Sequence, residues 1–205
     1  MGDRTYEIVT PQGGTAVTKI QNYPATSNRI ANVTTNGTVT RSFTHDAAGN
    51  ILTDVRGADT YAFTYNARNR PVTMTRTGTA SATSTYVYNG LEQMVSRTSN
   101  AAGAPAGTVQ YIYDTSGHLI AEADAATGAT TREYIWLAAN DNTPIDLPLA
   151  LVTGVNTASP VLSFVHTDHL GRPVRMTSTA KATVWQASYT PFGEVCTLSG
   201  TSRSF

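Results

Sequence analysis

The ten residues Tyr111-Ile112-Tyr113-Asp114-Thr115-Ser116-Gly117-His118-Leu119-Ile120 leave this chain little choice of local fold. Side chains alternate across a strand, so Tyr111 and Tyr113 share one face. Asp114 suits the first position of a type I turn, and Gly117 suits the fourth, where the backbone readily turns left-handed. The chain then reverses, and Leu119 lies on the returning strand. These residues encode a β-hairpin.

Variants of the frame recur. Phe43-Thr44-His45-Asp46-Ala47-Ala48-Gly49 repeats it with His45 in the second aromatic place, and Phe63-Thr64-Tyr65-Asn66 runs on to Asn69, which tolerates a left-handed backbone. Tyr86-Val87-Tyr88-Asn89 opens another copy, but Glu92 holds the glycine position, so a different turn is expected there. Tyr134-Ile135-Trp136 repeats the aromatic pair without the turn residues, and Phe164-Val165-His166 leads through Thr167 to Asp168-His169-Leu170-Gly171. Tyr65, Tyr88, Tyr113 and Trp136 follow one another at steps of about 23 to 25 residues, a spacing that signals repeat architecture.

These units resemble YD repeats, the tyrosine-aspartate repeats of bacterial Rhs proteins that teneurins and insecticidal toxin-complex proteins share. A more specific series begins at Tyr134-Ile135-Trp136-Leu137 and passes through Pro148-Leu149-Ala150 and 166–175. It continues through Val184-Trp185 to Tyr189-Thr190-Pro191-Phe192-Gly193-Glu194 and resembles the Rhs repeat-associated core. The resemblance covers 41–194. It implies an all-β fold of tandem hairpins in a curved, extended antiparallel sheet, part of a hollow cocoon that encloses a toxin polypeptide. It marks Tyr65, Tyr88, Tyr111, Tyr113, Asp114, Gly117, Tyr134, Trp136, Asp168, His169, Gly171, Trp185, Tyr189, Pro191, Phe192 and Gly193 as repeat residues, structural in role. Rhs proteins continue into an aspartyl self-cleavage motif and a variable toxin domain, and 195–205 carries neither pattern. No catalytic residue, metal or cofactor is expected in this chain.

Composition agrees with the strand reading. Threonine, valine, tyrosine and isoleucine suit a pleated surface, and no long window has helical periodicity. Charged residues are only 14%, with Lys+Arg and Asp+Glu equal at 14 each, so there is no global field to draw the chain onto nucleic acid or an anionic membrane. No 18-residue apolar run or apolar signal core is present. The resemblance implies a bacterial protein, cytoplasmic before delivery and then secreted or at the cell surface. Cys196 is the only cysteine, which excludes an internal disulfide.

A single domain is expected over 1–205, with weakly patterned strands in 1–42, repeats in 43–136, the core-like segment in 137–194 and a frayed tail in 195–205. Strands are expected at 5–10 and 15–20, and Asn36-Gly37 is a two-residue hairpin signal.

His166, Asp168 and His169 invite a metal or acid–base reading, but positions three apart on a strand face opposite sides. The bland reading, a core hairpin, is favoured. His45 and His118 have no partner constellation in the sequence. A carboxylate pairing such as Asp141 with Asp146 would be arbitrary. The tyrosines are expected to form a cross-strand aromatic ladder, with carbohydrate binding on exposed rings as the alternative function. Partners are expected to be other YD-repeat segments or a toxin polypeptide. An isolated run of hairpins has open strand edges, which favours an edge-to-edge homodimer or capture of another strand.

Overall fold

The computed structural model describes residues 6–9, 14–102, 107–138, 144–189 and 195–200. Among these, all regular structure is β-strand, and every strand pairing is antiparallel. The chain divides into two compact units, Met1–Gly107 and Thr108–Phe205, a division that crosses the repeat stretch of 43–136.

The first unit is a meander of β1 (Tyr6–Val9), β2 (Val17–Asn22), β3 (Asn32–Thr35), β4 (Thr38–His45), β5 (Ile51–Arg56), β6 (Asp59–Tyr65), β7 (Pro71–Thr77), β8 (Ala82–Tyr88) and β9 (Met94–Ser99), each paired with the next. Asn36 and Gly37 have φ of 48° and 84°, the two positive values that a type I′ hairpin needs.

Its two faces differ in chemistry. Phe43, Asp54, Tyr61, Arg76 and Ala82 lie opposite one another on successive strands, and so do Ser84 and Ser99. On this face Asp54, Ala82, Ser84 and Ser99 are buried. The other face is rich in threonine: Thr64, Thr73, Thr85 and Thr98 form one cross-strand row. Hydroxyls bond across the pairs Thr44–Thr53 and Thr64–Thr73, both at 2.6 Å. Cross-strand pairs of this kind each contribute about 0.2–1 kcal/mol. Threonine abundance here is a sheet face, one β-branched residue per strand.

The second unit repeats the meander with β10 (Gly107–Tyr113), β11 (Leu119–Asp124), β12 (Thr130–Ala138), β13 (Pro144–Thr153), β14 (Val161–Thr167), β15 (Pro173–Ser178), β16 (Thr183–Tyr189) and β17 (Val195–Ser199). Its core is apolar. Leu151, Val165, Met176, Trp185 and Ala187 are buried together, and Tyr134 and Tyr189 pack against them. Leu151 and Met176 are 1% and 2% exposed, so truncating either would cost about 2–5 kcal/mol.

Two expectations are corrected here. The tail is not simply frayed: Val195–Ser199 is a strand whose Leu198 and Thr197 oppose Ala187 and Ser188 of β16. Five residues suffice because β16 offers a ready ladder. The turn at Glu92 is not different either. Glu92 N–H bonds to Asn89 O at 3.1 Å and Asn89 N–H to Gln93 O at 3.0 Å, as in the glycine-containing copies, with φ at Glu92 of 66°. Pairing of β8 with β9 on both sides fixes the loop length, and the residue in the fourth position must follow. Asp141, Pro191, Phe192, Gly193 and Glu194 lie outside the described residues.

Gly78 has φ of 122°, and a Cβ there would collide with the Ala58 carbonyl oxygen. Gly90 has open space around it. Gly78→Ala is expected to destabilise by about 2 kcal/mol, and Gly117→Val, at φ 92°, by a similar amount. Gly90→Ala should stay within about 0.5 kcal/mol. Urea midpoints for the three variants test the ordering.

Candidate functional site

The repeated turn is built from one side chain. Asp114 Oδ1 accepts the N–H groups of Ser116 at 2.9 Å and His118 at 2.8 Å, while the Asp114 N–H donates to His118 O at 3.0 Å. Asn66, Asn89 and Asp168 use their side-chain oxygen in the same way on the amides two and four residues on. Each turn closes at a fourth residue with positive φ: Gly49, Asn69, Glu92, Gly117 and Gly171. This is a three-residue hairpin loop ending in a left-handed residue. Asp and Asn serve equally because the bond needs an acceptor oxygen two atoms from Cα, and charge is secondary.

A register shift follows the turn in every copy. Thr44 opposes Thr53 but His45 opposes Ile51; Thr64 opposes Thr73 but Tyr65 opposes Pro71. The same one-residue bulge separates Ile112 from Tyr113 and His166 from Thr167. A bulge bends and twists its strand, so the residue just before the turn is re-aimed.

In two copies that residue is a tyrosine whose hydroxyl is placed, Tyr65 before Asn66 and Tyr88 before Asn89, and Tyr189 and Trp136 bond in the same way at strand ends with a register shift. Tyr65 O–H donates to Ile51 O at 2.8 Å, Tyr88 O–H to Pro71 O at 3.0 Å and Tyr189 O–H to Pro173 O at 2.8 Å. Trp136 Nε1–H donates to Leu119 O at 2.8 Å. Each acceptor is the first residue of the strand that follows the turn of an earlier hairpin. The tyrosine is a latch from one hairpin to its predecessor. The hydroxyls of Tyr65, Tyr88 and Tyr189 and the indole N–H of Trp136 are aimed at backbone carbonyls. Tyr134 differs: its hydroxyl bonds Glu122 Oε1 at 2.6 Å, and burial together with that carboxylate pushes the phenol far above its ordinary range.

Turn tips are also joined to one another. Asn50 Nδ2 donates to Asp46 Oδ2 and to Asn69 Oδ1 of the next tip, both at 2.8 Å. Arg68 and Arg70 reach Glu92 at 3.0 and 3.2 Å. Glu92 therefore gains two cations from the tip before it. These are exposed pairs, each contributing at most about 1 kcal/mol.

Beneath the tips, Asp54 is 2% exposed and held by Arg41 at 2.5 Å and Arg56 at 2.7 Å. Burial pushes its carboxyl up, but hydrogen bonds and charge from the two guanidiniums more than reverse this and leave it below its ordinary value. Its contribution is thus complete above the ordinary carboxylate range and is lost as pH falls through the depressed folded value.

His118, which sequence reading left without partners, has three. Its Nδ1 lies 3.0 Å from Asp114 Oδ2, its Nε2 lies 2.9 Å from Asp146 Oδ1, and its ring stacks on Trp136 with centroids 4.7 Å apart. Tyr113, Leu119, Pro148 and Pro173 complete an apolar concavity of about 470 Å³ beside them. Asp146 is 28 residues away in sequence, so no local motif could have announced it.

His166, Asp168 and His169 do not converge. His166 Nε2 lies 2.9 Å from Thr177 Oγ1, whereas Asp168 spends Oδ1 on its own turn and Oδ2 on Arg172 at 2.8 Å. His169 is exposed at the tip. Tyr111 opposes Glu122 across the β10–β11 pair, and Trp185 is core. Among the described residues, no group of three or more His, Cys, Asp and Glu side chains could hold a metal ion.

A family model described as RHS protein matches residues 163–199, which spans β14 through β17. In this segment the chain is similar to RHS proteins. The segment contains the Asp168 turn, the Tyr189 latch and the Trp185 core. No curated protein matches the chain. Solved structures that align include a crystal structure of TcdB2-TccC3-TEV, at 10% identity and TM-score 0.38 over 98% of this chain and 16% of that one. A Photorhabdus luminescens Tc holotoxin pore aligns at 9% identity and TM-score 0.38, over 97% of this chain and 16% of that one. The chain spans 16% of the length of those chains. The Rhs assignment of 163–199 rests on the family match and on turns that the structure repeats upstream.

Tyr65→Phe and Tyr88→Phe should each cost about 1 kcal/mol, the value of one hydrogen bond. Tyr86→Phe, on the same strand as Tyr88, should stay within about 0.5 kcal/mol.

At Asp54 the two sides of the pair are unequal. Arg41→Ala with Arg56→Ala strands a buried carboxylate and should cost about 3 kcal/mol or more. Asp54→Asn should cost less, since the guanidiniums are 39% and 51% exposed and regain water. Denaturation midpoints in the reverse order would refute this account.

Proposed function

We propose that this chain supplies a stretch of wall in an Rhs-type shell that encloses or presents a toxin polypeptide, and that it carries no catalytic activity of its own. The observation behind this reading is the hairpin-to-hairpin linkage. Each tyrosine or tryptophan latch bonds the backbone of an earlier hairpin, and tips join through side chains of neighbouring turns. Such a unit can be added indefinitely, which is what a wall requires and a one-site module does not. The side chains that carry the repeat are consumed by it. The tyrosine hydroxyls and the carboxylate of Asp168 are engaged within the repeat, which favours a structural role over glycan capture or hydrolysis.

Delivery as part of a secreted bacterial complex follows from the same reading. Among the described residues no helix is long and apolar enough to cross a membrane, a statement that leaves strand-built barrels aside.

The test is protection of cargo. The chain is co-expressed with the polypeptide encoded directly downstream of it, and the pair is exposed to a broad protease. The downstream polypeptide should survive together with this chain and be degraded without it. Equal digestion rates would overturn the wall reading. Screens with ester, glycoside, peptide and phosphate substrates should be blank, and a turnover lost in His118→Ala with folding intact would overturn the non-catalytic part.

A further inference from the structure

The residue directly after the turn links outward in three copies, Asn50 to Asn69, Arg70 to Glu92 and His118 to Asp146, and bonds back to its own turn in the other two, Gln93 to Asn89 and Arg172 to Asp168. Asn50 and Gln93 are uncharged at any pH, and Arg70 and Arg172 are charged throughout the accessible range. Only His118 changes charge near neutrality.

Its geometry demands that charge. An ionised carboxylate only accepts hydrogen bonds, and a neutral imidazole has one N–H. His118 places both ring nitrogens within 3.0 Å of carboxylate oxygens, Nδ1 on Asp114 and Nε2 on Asp146. Both bonds can be donated only by the imidazolium. The neutral ring must give one up, leaving a nitrogen lone pair facing a carboxylate lone pair.

The two carboxylates are not equivalent. Asp114 also accepts backbone amides of its own turn and its side chain is 35% exposed, so its position is fixed locally. Asp146 is 90% exposed and meets His118 from β13, across the Trp136-lined concavity.

We propose that His118 is a proton-operated clasp that ties the Asp114 turn to β13 when protonated and releases Asp146 when it loses its proton. The groups facing the ring are Asp114 and Tyr113 from β10 and its turn, Trp136 from β12, which brings no charge, and Asp146 from β13. The neighbouring Asp168 turn presents Asp168 and Arg172 already paired to each other. The hydrogen bond and charge of Asp114, then those of Asp146, raise the histidine above its ordinary value despite burial. A raised folded value means that the clasp is fully present below the ordinary histidine range and is lost as pH rises through the folded value. Release frees the exposed Asp146 side and opens the rim of the 470 Å³ concavity. This inference stands apart from the wall reading and survives its failure.

The experiment follows the His118 ring by NMR on the whole chain from pH 5 to 9, with amide hydrogen exchange of β13 corrected for intrinsic rates. His118 should titrate above a free histidine, which titrates near ~6.5. Exchange in β13 should accelerate across that same midpoint. Asp146→Asn, on an exposed side chain that folding does not need, should lower the midpoint and abolish the coupled change in exchange. His118→Arg, which copies the residue found at the Asp168 turn, should keep β13 protected at every pH. A midpoint at or below the free value, a midpoint indifferent to Asp146→Asn, or a pH-dependent exchange that persists in His118→Arg would each overturn the clasp.

Discussion

One side-chain oxygen, on an Asp or Asn at the head of each turn, organises this protein. By accepting the amides two and four residues on, Asp114 and its counterparts fix a three-residue loop and drive the fourth turn residue into a left-handed backbone. The bulge that follows re-aims the residue before the turn. At Tyr65 and Tyr88 the new aim delivers the hydroxyl to a carbonyl of an earlier hairpin.

The two units spend their buried faces differently. The first buries Asp54 between Arg41 and Arg56, with Arg41 over Phe43 at 4.7 Å and Arg56 over Tyr61 at 4.8 Å. The second buries Leu151, Val165, Met176 and Trp185. An ion-paired face tolerates wet surroundings and gives directional register, whereas an apolar face gains most from exclusion of water. The apolar unit is also the one that matches the Rhs family, through 163–199. Repeat geometry is common to both units, and among the described residues the buried apolar cluster lies in the second.

Glu92 shows how firmly that geometry is imposed. A non-glycine residue at φ 66° is uncommon, yet it sits there with the same turn hydrogen bonds as Gly117. Its cost is offset by Arg68 and Arg70 from the neighbouring tip. Strand pairing on either side sets the loop, and the residue adapts.

The sequence by itself determined most of the strands and turns, though not the strand Val195–Ser199 or the form of the Glu92 turn. Alternation, the Asp-x-x-Gly frame and Asn36-Gly37 are all local, because hairpin signals lie within about ten residues of one another. It also placed Asp168 at the head of a turn, as the structure has it. Only the tertiary structure decided what the tyrosines touch, since the bulge that redirects them comes from pairing and leaves no mark in composition. Only the tertiary structure brought Asp146 to His118 across 28 residues, and set Arg41 and Arg56 on a carboxylate that reads, in sequence, as one more strand residue. Long-range partners of charged groups depend on which strands become neighbours. A chain whose local code repeats does not say which copy of a residue will meet a distant charge.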